Sequence, residues 1–285
     1  MTRGELAVSS LRLIAAWSLL FFKSIDEVIV TPSSMRVLVT GASGVVGRAF
    51  RHYHRGYYSL RLTYHRTPVK ASPGEEVVPV DITDLRSVLK AVKGVEAIVH
   101  LAADARITAP WNSVLERNII GTYNVFEAAR RSGVRKVVFA SSNHACGFSV
   151  RESDLVGPDA PVRPDSLYGV SKVFGEALGR CYSDRFGLSV VCLRIGLVRS
   201  REPETLFKEI LSGETADQVY SARKLAAMWI SGRDVAQLIH RSLEADLRFG
   251  IFYGASDNTQ AVLDISDAKE RLGYKPQDRL EDHVS

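Results

Sequence analysis

From residue 35 onward, short apolar, β-branched runs alternate with longer stretches whose apolar residues recur every three to four positions. Runs at 36–40, 59–63, 76–79, 97–101, 136–140 and 188–194 have the length and composition of buried strands. The spacing predicts helices over 113–131, 168–186 and 233–244; the last follows a serine and presents Val235, Leu238 and Ile239 on one face. Strands that are apolar throughout, separated by amphipathic helices, predict a doubly wound α/β fold with a parallel sheet covered on both faces. There is no internal repeat. After Gly196 the alternation loosens, so 35–196 is expected to form the main domain together with segments 231–250. Residues 197–230 and 250–285 are expected to form a small C-terminal substrate lobe over the carboxyl ends of the strands.

The first 34 residues lie outside this pattern and read as an extension. Their apolar run, Leu11 to Phe22, contains Arg12 and is well short of the ~20 residues that span a bilayer. No small-residue cleavage pattern follows it, so neither a membrane anchor nor a secretion signal is expected. Three cysteines at non-zinc spacings fit a reducing compartment, and a cytoplasmic protein is expected. A hydrophobic share of 46% and a charged share of 24% exclude a disordered or fibrous chain.

Charge changes the picture in one place. The net formal charge is +5, yet Val28 to Gly74 contains no acidic residue and seven basic ones: Arg36, Arg48, Arg51, Arg55, Arg61, Arg66 and Lys70. Such a patch suits either nucleic-acid phosphates or the phosphates of a small ligand.

The choice falls on the small ligand because Gly41-Ala-Ser43-Gly44-Val45-Val46-Gly47 follows the first strand and opens a helix. Glycines there admit a tight turn and let backbone N–H groups reach a pyrophosphate at a helix N-terminus. This makes the sheet Rossmann-type and the cofactor NAD or NADP. At the end of the second strand, where a carboxylate would accept from ribose hydroxyls, the chain has Tyr64-His65-Arg66; a cation at Arg66 favours a 2′-phosphate. Asp81 and Ile82, after the third strand, suit the adenine amino group, although an Asp there is equally a helix N-cap. The fifth strand ends at Ser142, and Tyr168-Gly-Val-Ser-Lys172 opens a later helix with the tyrosine and lysine on one face. A nearby ammonium is expected to lower the phenol pKa, letting Tyr168 take a hydroxyl proton while Ser142 holds the same oxygen. Asn118 is a polar residue in an apolar helix, expected either at the active site or bonded to backbone. His144 is expected at the substrate; His144 and Cys146 lack the second pair a metal would need, so no metal is expected.

The glycine loop, His100-Leu-Ala-Ala103, the Ser142, Tyr168 and Lys172 set and Leu272-Gly-Tyr-Lys-Pro276 together resemble the extended short-chain dehydrogenase/reductase family, also called the NAD-dependent epimerase/dehydratase family. Within it, Phe139-Ala-Ser-Ser-Asn-His144, Arg163-Pro-Asp-Ser-Leu-Tyr-Gly-Val-Ser-Lys172 and Trp229-Ile-Ser look like the uronate dehydrogenase and archaeal-type glucose-6-phosphate dehydrogenase branches. The resemblance implies oxidation of a sugar C1 hydroxyl to a lactone, without a metal. It implies Ser142, Tyr168 and Lys172 as the catalytic set, Leu101, Ala102, Ala103 and Ile195 at the cofactor, and Asn143 and His144 at the sugar. It also implies pairing of two copies through the helices at 113–131 and 168–186.

Three positions depart from that pattern: Tyr64 replaces the cofactor-selecting Asp, Leu197 replaces a serine, and Lys224, with Arg223 beside it, stands where an arginine grips the carboxylate. Arg223 or Lys224 is therefore expected to bind the substrate anion. The partner expected is a small acidic sugar, with no nucleic acid and no membrane. An epimerase or dehydratase is the enzymatic rival, and a cofactor-sensing or nucleic-acid-binding relative the non-enzymatic one.

Overall fold

The computed structural model describes residue 33, residues 35–199 and residues 220–283. The expected extension, apart from Ser33, and residues 200–219 of the expected substrate lobe lie outside the described residues.

Seven parallel strands form one sheet in the order β3-β2-β1-β4-β5-β6-β7. They are β1 (Arg36–Thr40), β2 (Ser59–Tyr64), β3 (Glu75–Pro79), β4 (Ala97–His100), β5 (Lys136–Ser142), β6 (Ser189–Ile195) and β7 (Phe249–Gly254). The order reverses between β1 and β4, the crevice where ligands bind in such sheets.

The apolar runs are continuous because both faces of the sheet are covered. In β1, Val37 and Val39 enter one core and Leu38 the other; in β4, Ala97 and Val99 oppose Ile98 in the same way. The first core is closed by α1 (Val45–Tyr53), through Phe50, and by α8 (Gly232–Glu244), through Val235, Leu238 and Ile239. The second is closed by α2 (Leu85–Ala91), α4 (Gly121–Arg131) and α6 (Leu167–Phe186), through Val88, Phe126 and Tyr182. A short α3 (Trp111–Ser113) and a π-helical segment, Val114–Ile120, lead into α4. The remaining α-helices among the described residues are α5 (Gly147–Glu152), α7 (Ala222–Ala227) and α9 (Ser266–Leu272). Ser166 and Ser231 cap α6 and α8 by accepting from the N–H groups of Gly169 and Asp234, both at 3.0 Å.

One boundary differs from the sequence reading. Residues from 250 onward were expected in the smaller lobe, but Gly250–Gly254 lie in β7, paired with β6 from Val190↔Phe249 to Ile195↔Gly254. Phe-Gly-Ile-Phe-Tyr-Gly has strand-forming aromatic and β-branched residues, but its two glycines break the apolar run; pairing with the edge of β6 completes the strand.

Candidate active site

A cavity of about 1060 Å³ runs from the glycine loop, past the carboxyl ends of β1, β4 and β5, to Tyr168 and His144. Gly41 turns the chain out of β1 at φ +69°, and a Cβ there would lie 2.8 Å from the backbone of Leu101 and Ala102. At Gly47 a Cβ would meet the Gly41 carbonyl at 2.6 Å, so this glycine brings α1 against the loop. Thr40 completes the cradle: its hydroxyl accepts from the N–H groups of Leu101 and Ala102 at 3.1 and 3.2 Å and bonds His100 Nδ1 at 2.7 Å. Gly44, the N-cap of α1, offers no side-chain acceptor, and the first turn carries no acidic residue. Backbone donors and a helix dipole therefore face the cavity without a competing anion. Ser43, Gly44, Val45 and Val46 line it there, and the arrangement fits a pyrophosphate.

Farther along, Tyr64, His65, Arg66, Asp81 and Ile82 line the same cavity. Asp81 Oδ1 accepts from Thr83 N–H and hydroxyl at 2.9 and 2.8 Å, and His65 Nε2 lies 3.8 Å from Oδ2. The helix-cap alternative for Asp81 does not hold, because Asp84 caps α2 through Arg86 N–H at 2.9 Å. Arg51 is committed elsewhere, in a two-armed pair with Glu75 at 3.0 and 2.7 Å. Arg66 is thus the cation of the basic patch that lines the ribose end, while Arg48 turns back onto the Ser43 carbonyl.

At the other end Ser142, Tyr168 and Lys172 converge on the cavity. Ser142 ends β5, and Lys172 lies one turn along α6 with its ammonium 5.4 Å from the Tyr168 ring centre. Lys172 Nζ donates to the Ala140 carbonyl at 2.7 Å, which fixes it across β5. Burial dominates both ionisations. It pushes the Tyr168 phenol up to about 12 against the Ser142 hydrogen bond, and pulls the Lys172 ammonium down to about 8 against the favourable field of Glu176. The expected lowering of the phenol pKa by the lysine is not found: desolvation sets the direction and only Ser142 opposes it.

Asn143 and His144 also line the cavity. The structure adds two residues that sequence reasoning did not single out. Asp165 accepts from His144 Nδ1 at 3.0 Å, from the Tyr220 hydroxyl at 2.9 Å and from the Ser166 hydroxyl at 3.1 Å. Burial alone would raise the Asp165 carboxyl; these donors outweigh it and hold the group below its ordinary range. Tyr220 accepts from Asn143 Nδ2 at 3.3 Å. A carboxylate just before a helix N-cap reads along the chain as a helix-start signal, which hides its role at the site.

Three expected site residues lie elsewhere. Asn118 is buried and outside the cavity lining: its carbonyl oxygen accepts from Asp104 N–H at 2.8 Å and its amide donates to Asp104 O and Ser171 Oγ, both at 3.0 Å. It fastens the loop after β4 to α6 and contributes no group to the cofactor site. Lys224 turns away from the cavity, its ammonium donating to the carbonyls of Val150, Arg151 and Ser153 at the end of α5. Arg223 is exposed and likewise does not line the cavity. Leu197 does line it, bridging to Trp229. Ile195, Leu101, Ala102 and Ala103 line it as expected; Arg106 and Arg117, both paired with Asp104, and Arg199 line it too.

The site can therefore hold a dinucleotide against the glycine loop and a small polar molecule against Tyr168 and His144. Comparison with known proteins agrees with that division. The NAD dependent epimerase/dehydratase family matches residues 37–250. A protein of Haloferax volcanii named NAD-dependent glucose-6-phosphate dehydrogenase is 41% identical over 260 residues, covering 85% of this chain and 93% of that protein. Uronate dehydrogenase of Pseudomonas putida is 36% identical over 249 residues, covering 86% and 85% of the two chains. A solved structure of an Agrobacterium tumefaciens uronate dehydrogenase variant complexed with NAD is similar with a TM-score of 0.74 and 36% identity, over 88% of this chain and 87% of that one.

Proposed function

Because this chain belongs to the NAD-dependent epimerase/dehydratase family, we propose that it oxidises the C1 hydroxyl of a uronate or related acidic sugar to a lactone. The observation that carries the reading is the single cavity linking the glycine loop to Ser142, Tyr168 and Lys172. The dinucleotide, held by Gly41, Ser43, Gly44, Val45, Val46 and Gly47, with Arg66, Asp81 and Ile82 at its adenosine end, supplies a hydride acceptor. Ser142 orients the sugar hydroxyl. Tyr168 takes its proton, and the Lys172 ammonium offsets the phenolate charge and binds the ribose of the nicotinamide half. Asn143 and His144 hold neighbouring sugar hydroxyls. Leu197, Tyr220, Leu225 and Met228 line the wall of the cavity beside them.

A sugar phosphate is the second reading, supported by the 41% identity to the Haloferax volcanii protein named NAD-dependent glucose-6-phosphate dehydrogenase. With its ammonium spent on α5, neither Lys224 nor exposed Arg223 supports the expected carboxylate grip. Arg106 and Arg117 line the cavity but pair with the buried Asp104 at 2.6 and 3.8 Å; with Arg199 they bring guanidinium groups, which suit phosphate and carboxylate alike, to its wall. The deciding experiment follows reduced-nicotinamide absorbance with NAD and NADP, offering glucuronate, galacturonate, glucose 6-phosphate and glucose, with Tyr168→Phe as control. Turnover on a uronate supports the first reading and turnover on the phosphate alone the second. Failure of every sugar while cofactor still binds overturns both.

The protein works as a homodimer in this reading. Trp111, Ile120 and Tyr123 along the first helical run, and Leu167 and Val170 at the start of α6, are exposed apolar side chains on the helices expected to pair. Light scattering is expected to give twice the chain mass, and a Tyr123→Glu, Val170→Glu double variant the single chain mass.

A further inference from the structure

We propose that Asp165 is a positioning residue that fixes the tautomer and orientation of His144, so that His144 presents Nε2 to the sugar as a hydrogen-bond acceptor. The inference deepens the dehydrogenase reading and rests on it for the identity of the ligand.

The argument starts from the donors. Both Asp165 oxygens lie 3.0 Å from His144 Nδ1, and a carboxylate only accepts, so Nδ1 carries the proton. In neutral imidazole the other nitrogen is then an acceptor. His144 lines the cavity, and its ring centre is 5.8 Å from that of Tyr168. An acceptor there suits a hydroxyl on a carbon next to the one being oxidised. With the opposite tautomer the same position would present a donor.

The surroundings hold Asp165 in place for this task. Its side chain is 1% exposed. A Cβ at Gly147 would lie 1.9 Å from Asp165 Oδ2, so the missing side chain at the head of α5 makes room for the carboxylate. Ser166, which donates to Asp165, also caps the helix that carries Tyr168. Tyr220 reaches Asp165 from a distant part of the chain and accepts from Asn143. One buried carboxylate thus gathers His144, the start of α6 and the Tyr220 arm. Asparagine at 165 keeps the size but has one acceptor oxygen, so it cannot serve three donors; part of the His144 population then takes the other tautomer.

Two measurements test this. The first is kinetic, on the dehydrogenase with its best sugar. Asp165→Asn is expected to lower kcat/KM by at least about tenfold, as expected when a histidine loses the carboxylate that sets its tautomer, while NADH affinity stays within about twofold. In a His144→Ala background the same substitution is expected to change kcat/KM by less than about twofold, because two residues acting through one contact are not additive. Equal losses in both backgrounds overturn the proposal, since a merely structural role would cost both enzymes alike. The second measurement is independent of any substrate: two-bond 1H–15N spectra of the histidine side chains, with His144→Gln assigning the signal. A neutral His144 protonated at Nδ1 in the parent and shifted in Asp165→Asn supports the proposal. Protonation at Nε2 in the parent overturns it, whatever the sugar turns out to be.

Discussion

Glu176 and Arg194 form a two-armed ion pair, 2.9 Å on each arm, inside the molecule and one helical turn beyond Lys172. Ser141 donates to the same carboxylate at 2.6 Å, and Arg194 also donates to the Tyr253 hydroxyl at 3.3 Å. The pair ties α6 to β5, β6 and β7 directly beneath the catalytic set. Removing one partner leaves a buried charge unpaired, at a cost of about 3–5 kcal/mol. Glu176→Gln is therefore expected to lower the urea midpoint sharply, and Glu176→Leu with Arg194→Met to recover most of the loss. A single variant as stable as the parent would refute the accounting.

The ionisations at Tyr168 and Lys172 predict the shape of the pH profile. Proton removal by Tyr168 becomes easier as pH rises, whereas the positive charge on Lys172, pulled down to about 8 by burial, is lost above that value. Sugar oxidation is expected to rise toward pH 8 and then flatten or fall. Arginine does not deprotonate in this range, so Lys172→Arg is expected to lose the alkaline limb at a lower absolute rate. Tyr168→Phe is expected to lower kcat by roughly 10²–10⁴ while cofactor still binds.

Arg66 predicts cofactor choice. No carboxylate ends β2, so NADP is expected to be accepted alongside NAD. Arg66→Ala removes a charge-assisted contact worth about 1.5–3 kcal/mol, and is expected to weaken NADP roughly 10- to 100-fold. NAD should change by less than about threefold, since it lacks the 2′-phosphate. Steady-state KM values for the two cofactors decide it.

Lys224 is expected to matter for stability and little for substrate. Its ammonium caps the carbonyl end of α5. Lys224→Met should cost about 1–2 kcal/mol by thermal melting, with KM for an anionic sugar unchanged within about twofold. A large rise in KM at unchanged stability would restore the reading taken from the sequence.

Acid sensitivity follows from the rings packed where α1 meets α8. His54 stacks on His240 at 4.8 Å, and its Nδ1 is buried without a hydrogen-bond partner among the described residues. Burial, reinforced by His240 and opposed by the Phe50 backbone, pulls His54 down to about 4. A folded-state value below the unfolded 6.5 means that the unfolded chain binds more protons between pH 6.5 and 4. The contribution is complete above 6.5 and is lost as pH falls toward 4. The melting temperature is expected to drop by several degrees over that window. His54→Phe should shrink the drop without abolishing it, because His100, buried and held at about 3, acts in the same direction.

Much of this protein is written in local spacing. The two-residue period of β1 and β4, the glycines after β1, the serine ending β5 and the four-residue step from Tyr168 to Lys172 are each set within a few residues of backbone, so reading them needs no knowledge of distant neighbours. The six strands and three helical stretches expected from the pattern all occur with ends shifted by at most two residues, the stretch at 113–131 as α3, the π-helical segment and α4. Tertiary structure decided the partners. Lys224 and Asn118 each have several acceptors or donors within reach, and only the packed chain fixes that Lys224 meets the end of α5 and Asn118 meets Asp104 and Ser171. Asp165 resembles any helix-start carboxylate until folding carries His144 and Tyr220 onto it from 21 and 55 residues away. Phe249–Gly254 becomes a strand because the edge of β6 offers it hydrogen bonds. Sequence fixes what the backbone and one neighbouring turn can satisfy; which distant donor meets which acceptor depends on burial, where an unmet polar group is costly and the whole fold selects the pairing.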